Sequence, residues 1–395
     1  MFAHLPPVGN PVSQSLIDNP VELLGEVFSG RTCHLYGSGT MALAAALKAA
    51  VARARGLGLK GDPEVVLPAY ACPDLISAAF YAKVKPVLVD FEAERPWMNL
   101  DLLRRNLSPR TVAVIAVHFL GIPERLGPIR ELLVDREEIT LIEDSAQYFP
   151  RTATSGYWSG DLIVLSFGRG KPVNLLGGGA VVSQHSPRGE NLAEALPLAD
   201  ETALASVNAT PSLPWRVKLA LYRQVLRPGI YGLLQGLPWL HIGETRYHTL
   251  AAITAARKGT TGLLAANIIQ YRRRTLWQQD SVAALVHQQA SDQVIDLPRI
   301  CGWKEDQPLL RYPILLSSSR LKRQMLDRLH ILGASGMYPT ILPDLPGLSS
   351  LLAGQGEFPH AARFASRIMT LPTHAGVKSV HISKIAELFN KILQE

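Results

Sequence analysis

The sequence predicts an α/β fold: a large domain built on a mostly parallel, doubly wound sheet, then a smaller C-terminal α+β domain. Three observations point there. The 395 residues are 47% hydrophobic and 18% charged, which is apolar material enough for a large core and too little charge for a disordered chain. Between residues 64 and 143, short continuous apolar runs alternate with helical stretches, the pattern of strands covered on both faces. From about residue 296 strands and helices recur in another order, with no internal repeat. The division expected is 1–250, with an apolar insertion at about 205–245, and 251–395, a connecting helix and the small domain.

Taken in order, residues 1–30 read as an irregular arm with one short amphipathic helix at 21–28. Tyr36-Gly37-Ser38-Gly39-Thr40 then opens an alanine-rich helix over 41–55. Serine and threonine at a helix start cap free amides, glycine lets a ligand come close, and the dipole favours an anion. Gly39, Thr40 and Met41 are therefore candidates for holding a phosphate, a plainly capped helix being the alternative. Strands are expected at 64–67, 86–89, 111–117 and 140–143, separated by helices at 73–83, 100–106 and 129–134. A further strand, 162–165, runs into Ser166 and the loop Gly168-Arg169-Gly170-Lys171, and an apolar strand resumes at 180–182 after Gly177-Gly178-Gly179. Ligands of such sheets bind beyond the carboxyl ends of the strands, where Asp90, His118, Asp144 and Ser166 stand.

A lysine in a glycine-rich loop between buried strands is costly unless partnered, and it is a candidate for covalent chemistry through a Schiff base. Lys171 and Asp144, at the ends of neighbouring strands, are what pyridoxal 5'-phosphate requires: an amine for the aldehyde and a carboxylate for the ring nitrogen. A strand-end ion pair is the rival reading. His118 reads as a packing histidine. The segment 212–239 carries Trp215, Lys218, Tyr231 and Trp239 on two apolar helices broken at Pro228 and Pro238. Such faces cover a second subunit or the mouth of a site, or lie in a membrane interface. Residues 250–286 read as one long helical stretch, with Arg272-Arg273-Arg274 as a solvated face or a contact to an anionic substrate or partner. A strand at 309–316, a helix at 320–332, an irregular part around Met337-Tyr338-Pro339, and a terminal helix at 379–393 complete the chain.

The formal net charge is +7, but the basic residues are dispersed and no nucleic-acid motif is present, so no nucleic-acid partner is expected. The three cysteines, Cys33, Cys72 and Cys301, fit neither a disulfide framework nor a zinc spacing, and no metal is expected. The first residues lack the make-up of a secretory leader, and no uncharged apolar run reaches the roughly 18 residues that span a bilayer. A cytoplasmic protein is expected, with contact to a membrane's inner face or to a carrier protein through 212–239 as the alternative.

Together these pieces resemble the DegT/DnrJ/EryC1/StrS family of sugar aminotransferases, of the aspartate aminotransferase superfamily and fold type I. The carriers of the likeness are Gly39-Thr40-Met41-Ala42-Leu43, Gly61-Asp62-Pro63-Glu64-Val65-Val66-Leu67-Pro68, Lys85-Pro86-Val87-Leu88-Val89-Asp90, Val117-His118-Phe119-Leu120-Gly121 and Glu143-Asp144-Ser145-Ala146-Gln147. Gly160-Asp161, Ser166-Phe167 and Lys171 follow, and near the end Leu371-Pro372-Thr373-His374. The resemblance implies a homodimer with shared active sites that moves an amino group, with glutamate the expected donor, onto a keto group of a nucleotide-linked sugar. The product would feed a surface polysaccharide or a secondary metabolite. A lipid-linked or carrier-bound ketone, and a non-catalytic relative, are the alternatives. It implies that Lys171 forms the Schiff base and moves the proton, that Asp144 keeps the ring nitrogen protonated, that Gln147 lies near the ring hydroxyl, and that Thr40, Met41 and Ser166 hold the phosphate. The chain departs from the family in having Cys72 where many members stack an aromatic ring, which leaves Tyr70 or a sulfur contact for that role. It has Tyr148 where many have histidine and Gly177 where many have an acid. Arg246 is a candidate for the residue sent across the dimer.

Overall fold

The computed structural model describes residues 4–395 apart from 16, 153–157, 185–186, 198–211, 236, 238–243 and 305. Helix α1 (Pro20–Val27) precedes a seven-stranded sheet. Strands β2 (Glu64–Pro68), β3 (Lys85–Val89), β4 (Thr111–Val117), β5 (Thr140–Asp144) and β6 (Leu162–Ser166) run parallel. β7 (Gly179–Ser183) returns antiparallel to β6, and β1 (Cys33–Tyr36) pairs antiparallel with β7. The order is β1-β7-β6-β5-β4-β2-β3, so β3 forms one edge. Strands β2, β4, β5 and β7 are buried at every residue, which is why their sequences are continuous apolar runs.

Helices α2 (Gly39–Gly56), α3 (Asp74–Tyr81), α4 (Leu100–Asn106) and α5 (Leu126–Leu132) cross between these strands, and α6 (Pro187–Glu194) follows β7. α2 packs on β6 and β7 with a face of alanines, whose small side chains let the helix lie close to the sheet. After α7 (Leu213–Val225), α8 (Pro228–Gln235), α9 (Thr260–Arg272) and α10 (Trp277–Gln289) comes a second sheet. Its strands, β8 (Val294–Asp296), β9 (Tyr312–Leu316) and β10 (Ile368–Leu371), are antiparallel with β9 central. α11 (Leu297–Ile300), α12 (Ser319–Leu329), α13 (Pro359–Arg367) and α14 (Ser379–Gln394) complete this part. One apolar cluster runs from α2 and β2 through Phe91, Phe119 and Tyr338 into β9 and Phe364, joining the two sheets.

Three sequence expectations change. The strand β1 is not foreseen, because Cys33-His34-Leu35-Tyr36 is short and half polar; its place comes from pairing with Val182 through Gly179. The stretch 250–286 is not one helix. Residues 244–257 take no helix: the Gly37 amide bonds the Thr254 carbonyl at 2.8 Å, and Ala255 bridges to Tyr36. Helix α9 then ends at Arg272, and the Arg151 guanidinium satisfies the Arg272 and Arg274 carbonyls, at 3.3 and 3.2 Å, which the end of the helix leaves without a helical partner. Finally, α7 and α8 are not free apolar helices. Trp215 is buried and donates its Nε1–H to the Leu175 carbonyl at 3.0 Å, Lys218 Nζ bonds the Leu176 carbonyl, and Tyr231 is buried. The helix pair thus braces the loop that follows Lys171. Leu213, Val217 and Leu221, spaced by four, stay exposed on its outer side. Pro238 and Trp239 lie outside the described residues. No helix among the described residues is long and apolar enough to cross a membrane.

Candidate active site

β6 delivers the lysine. Beyond Ser166 the Phe167 amide bonds the Gly178 carbonyl at 2.9 Å, and the Phe167 carbonyl accepts from Leu175 and Gly177 at 2.9 and 3.1 Å. Residues 168–174 are therefore pinched into a closed loop. Leu176, Gly177 and Gly178 all have positive φ on its return, and Gly170 has φ 76° with no room for a side chain beyond Val8, 3.0 Å from where a Cβ would sit. The N-terminal arm holds the loop from outside: Asn10 Nδ2 donates to the Lys171 carbonyl at 3.1 Å. Lys171 lines a cleft of about 530 Å³ with Asp144, Gln147, Ser166, Cys72, His118, Gly39, Thr40, Asp74 and Tyr338.

At one end of the cleft lies the start of α2. Ser38 Oγ caps it, accepting the Met41 amide at 3.1 Å. The Gly39 amide faces the Gly178 carbonyl in a parallel bridge between Ser38 and Gly178, while the Thr40 amide donates to no atom of the described residues, which leaves room for an anion at the positive end of an 18-residue helix. A Cβ on Gly39 would fall 2.6 Å from Ser166 Cβ, and one on Gly179 would fall 2.5 Å from the Ser38 carbonyl oxygen. Only glycine allows the two chain ends to meet there. Thr40 Oγ1 donates to Asp74 Oδ2 at 3.0 Å. Met41 does not line the cleft: its amide serves the cap and its Sδ meets Thr254 Oγ1 at 3.3 Å.

At the other end, Asp144 is buried, with Oδ1 accepting the Ala146 amide at 2.9 Å. Burial pushes this carboxyl above its ordinary value, while the Ala146 N–H and then Lys171 pull it back. His118 beside it has a fixed tautomer. Its Nδ1 accepts the Glu124 amide at 2.9 Å, so its Nε2–H faces Glu143 Oε1 at 2.6 Å. Burial raises the Glu124 carboxyl to about 7 against the bonds it accepts from Arg125 and Met98. Gln147 is oriented from both ends: Oε1 accepts the Leu120 amide at 2.9 Å and Nε2 donates to the Tyr338 hydroxyl at 2.8 Å. Burial pushes the Cys72 thiol up to about 12, so it stays protonated.

Four sequence candidates lie elsewhere. Tyr70 is in an aromatic cluster with Phe91, Phe119 and Phe364, its hydroxyl donating to the Tyr338 carbonyl, and it does not line the cleft; Cys72 does. Tyr148 is buried edge-on to the His118 ring at 5.2 Å, behind the cleft rather than in its lining. Arg246 is exposed and bonded to Glu244 at 2.7 Å. Asp90 caps α13, accepting the His360 and Ala361 amides at 3.0 and 2.7 Å. Sequence reasoning missed Asp74 and Tyr338. Asp74 opens α3 behind Pro73, on the loop that leaves β2, a position that could have flagged it; Tyr338 comes from 191 residues beyond Gln147, and nothing local announces it. No group of metal-binding side chains occurs among the described residues.

The sheet order, the lysine loop off β6 and the carboxylate off β5 define a fold type I protein. The profile of the DegT/DnrJ/EryC1/StrS aminotransferase family matches residues 24–196. It is 32% identical over 144 residues to dTDP-3-amino-3,4,6-trideoxy-alpha-D-glucose transaminase of Streptomyces venezuelae, a match covering 35% of this chain and 37% of the relative. It is 30% identical over 148 residues to GDP-perosamine synthase of Escherichia coli O157:H7, covering 37% of this chain and 38% of the relative. The chain thus spans little more than a third of the curated relatives it matches. Among solved structures, Spr1654 of Streptococcus pneumoniae in its apo form superposes with TM-score 0.69 at 18% identity, over 98% of this chain and 93% of that one.

Proposed function

We propose that this protein is a pyridoxal-phosphate-dependent aminotransferase acting on a keto group of a nucleotide-linked sugar, with glutamate as the amino donor. The observation that carries it is one cleft holding a lysine, a buried carboxylate and the amide end of helix α2. The curated relatives that share residues of this region are a dTDP-sugar transaminase and a GDP-perosamine synthase, and Spr1654 has been solved in a PLP form.

The residues fit the cofactor. The Thr40 amide and hydroxyl and Ser166, with Gly39 leaving the space for a close approach, would hold the phosphate; Asp144, with Oδ2 accepting no hydrogen bond from the described residues, would hold the ring nitrogen. When bound, the cofactor supplies an aldehyde for the lysine and a ring that takes up electrons as substrate loses a proton. Lys171 is the base that takes that proton and returns it to the neighbouring carbon, its loop held in register by Phe167 and Asn10. Asp144 rests on the fixed Ala146 amide, and a cation opposite it favours the charged form that burial opposes. Gln147, clamped by Leu120 and Tyr338, would have one N–H left for the ring hydroxyl, and Cys72, which lines the cleft, would meet the ring through its sulfur.

We propose that 1–250 is the cofactor-binding part and 251–395 the smaller part, with Tyr338 meeting Gln147 across them. A homodimer, with the exposed Leu213, Val217 and Leu221 among the covered residues, fits the bracing of the lysine loop by α7. Added pyridoxal phosphate should give a visible absorbance band, and borohydride reduction should fix a pyridoxyl group to Lys171 by mass spectrometry. Lys171→Ala should lose both. A wild-type protein that takes up no pyridoxal phosphate ends this reading.

A further inference from the structure

A second groove, of about 1310 Å³, lies between the N-terminal arm and the junction of α9 with α10. Its polar lining includes Ser13, Gln270, Arg273, Arg274 and Thr373, and no acidic side chain is among the lining residues. Neither guanidinium is ion-paired among the described residues; Arg274 lies 5.8 Å from the Tyr271 ring and against no carboxylate. Thr373 is 3% exposed, and its buried hydroxyl has no hydrogen-bond partner. A buried hydroxyl without a partner and two guanidiniums without a counter-charge among the described residues are groups that a bound anion would satisfy. Ile17 and Ile269 give the same groove an apolar wall. A ligand that satisfied the polar groups would carry negative charge spread over more than one oxygen, to meet both guanidiniums and the hydroxyl.

We propose that this groove binds a diphosphate, the anion on Arg273 and Arg274 with the Thr373 hydroxyl beside it. None of its lining residues lines the cleft at Gly39 and Thr40, and it borders the lysine loop: Asn10 bonds the Lys171 carbonyl, and Pro11, Gln270 and Arg274 share a smaller pocket with Pro172 and Asn174. The diphosphate belongs either to a nucleotide-bearing compound or to free pyrophosphate. Isothermal titration of the full chain with inorganic pyrophosphate should give saturable binding that weakens with added salt. Arg273→Gln, at an exposed position where folding is not at stake, should weaken it about ten-fold or more, as loss of a charge-assisted bond does. Thymidine diphosphate binding more tightly than pyrophosphate assigns the site to a nucleotide; equal binding assigns it to the bare anion. Dependence on these arginines tells the groove from the start of α2, so the result stands apart from the Lys171 experiment. Absence of saturable binding, or wild-type affinity in an Arg273→Gln/Arg274→Gln variant whose circular dichroism melt shows it folded, would overturn the proposal.

Discussion

Asp74 puts a negative charge where the proposed phosphate must sit, and it already occupies the Thr40 hydroxyl. Two anions sharing one donor repel, and a term of about 1.4 kcal/mol changes affinity roughly ten-fold. Asp74→Asn, which keeps the acceptor, is expected to tighten pyridoxal phosphate binding by about that factor and to leave pyridoxal, which lacks the phosphate, unchanged. Equal effects on both compounds, followed by absorbance titration, would refute a charge origin. Glu124 offers a second prediction. Its carboxyl rises from the ordinary 4.5 to about 7 in the fold, so its contribution to stability is present below about 4.5 and is lost as pH climbs through about 7. The swing is on the order of 3 kcal/mol. Glu124→Gln should flatten the dependence of urea-unfolding free energy on pH between 5 and about 8; an unaltered slope would place that dependence elsewhere. At this scale the strand ends and the glycine loop are local signals that single out Lys171, Asp144 and Ser166, and Gln147 enters only through the family resemblance; the four line one cleft. Tyr338 was not readable, since only tertiary folding carries it to Gln147.

The elements show why sequence reading succeeds for some segments and fails for others. Strands β2, β4 and β5 announce themselves because both faces are buried. The break between α9 and α10 does not, because the group that satisfies its free carbonyls is the Arg151 side chain, more than a hundred residues away. The junction of α2 with β6 and β7 yields a sharp test. Gly39→Ala places a methyl 2.6 Å from Ser166 Cβ. Overpacking of this kind costs about 1–3 kcal/mol. Thermal unfolding of Gly39→Ala should show that loss, and Ser166→Gly in the same chain should recover part of it. A Gly39→Ala protein as stable as wild type would mean that the junction yields more easily than its contacts suggest.

For the whole molecule, the question is what covers the outer side of α7. Val217 and Leu221 stand open on a helix whose inner side is fastened to the lysine loop. If a second copy covers them, Val217→Lys with Leu221→Lys should shift sedimentation from dimer to monomer while the melting temperature of the fold changes little; an unchanged mass would move the contact elsewhere. The sheet's other boundary behaves differently. Along β3 the Leu88 amide donates to Gln355 Oε1 at 3.1 Å, and the Pro86 carbonyl accepts from Gln355 Nε2 at 2.7 Å. A single carboxamide thus stands in for the next strand, and Pro86 has no N–H to offer one. The sheet is closed to growth on that side, and fibrillar stacking through β3 finds no open row of backbone groups to begin from.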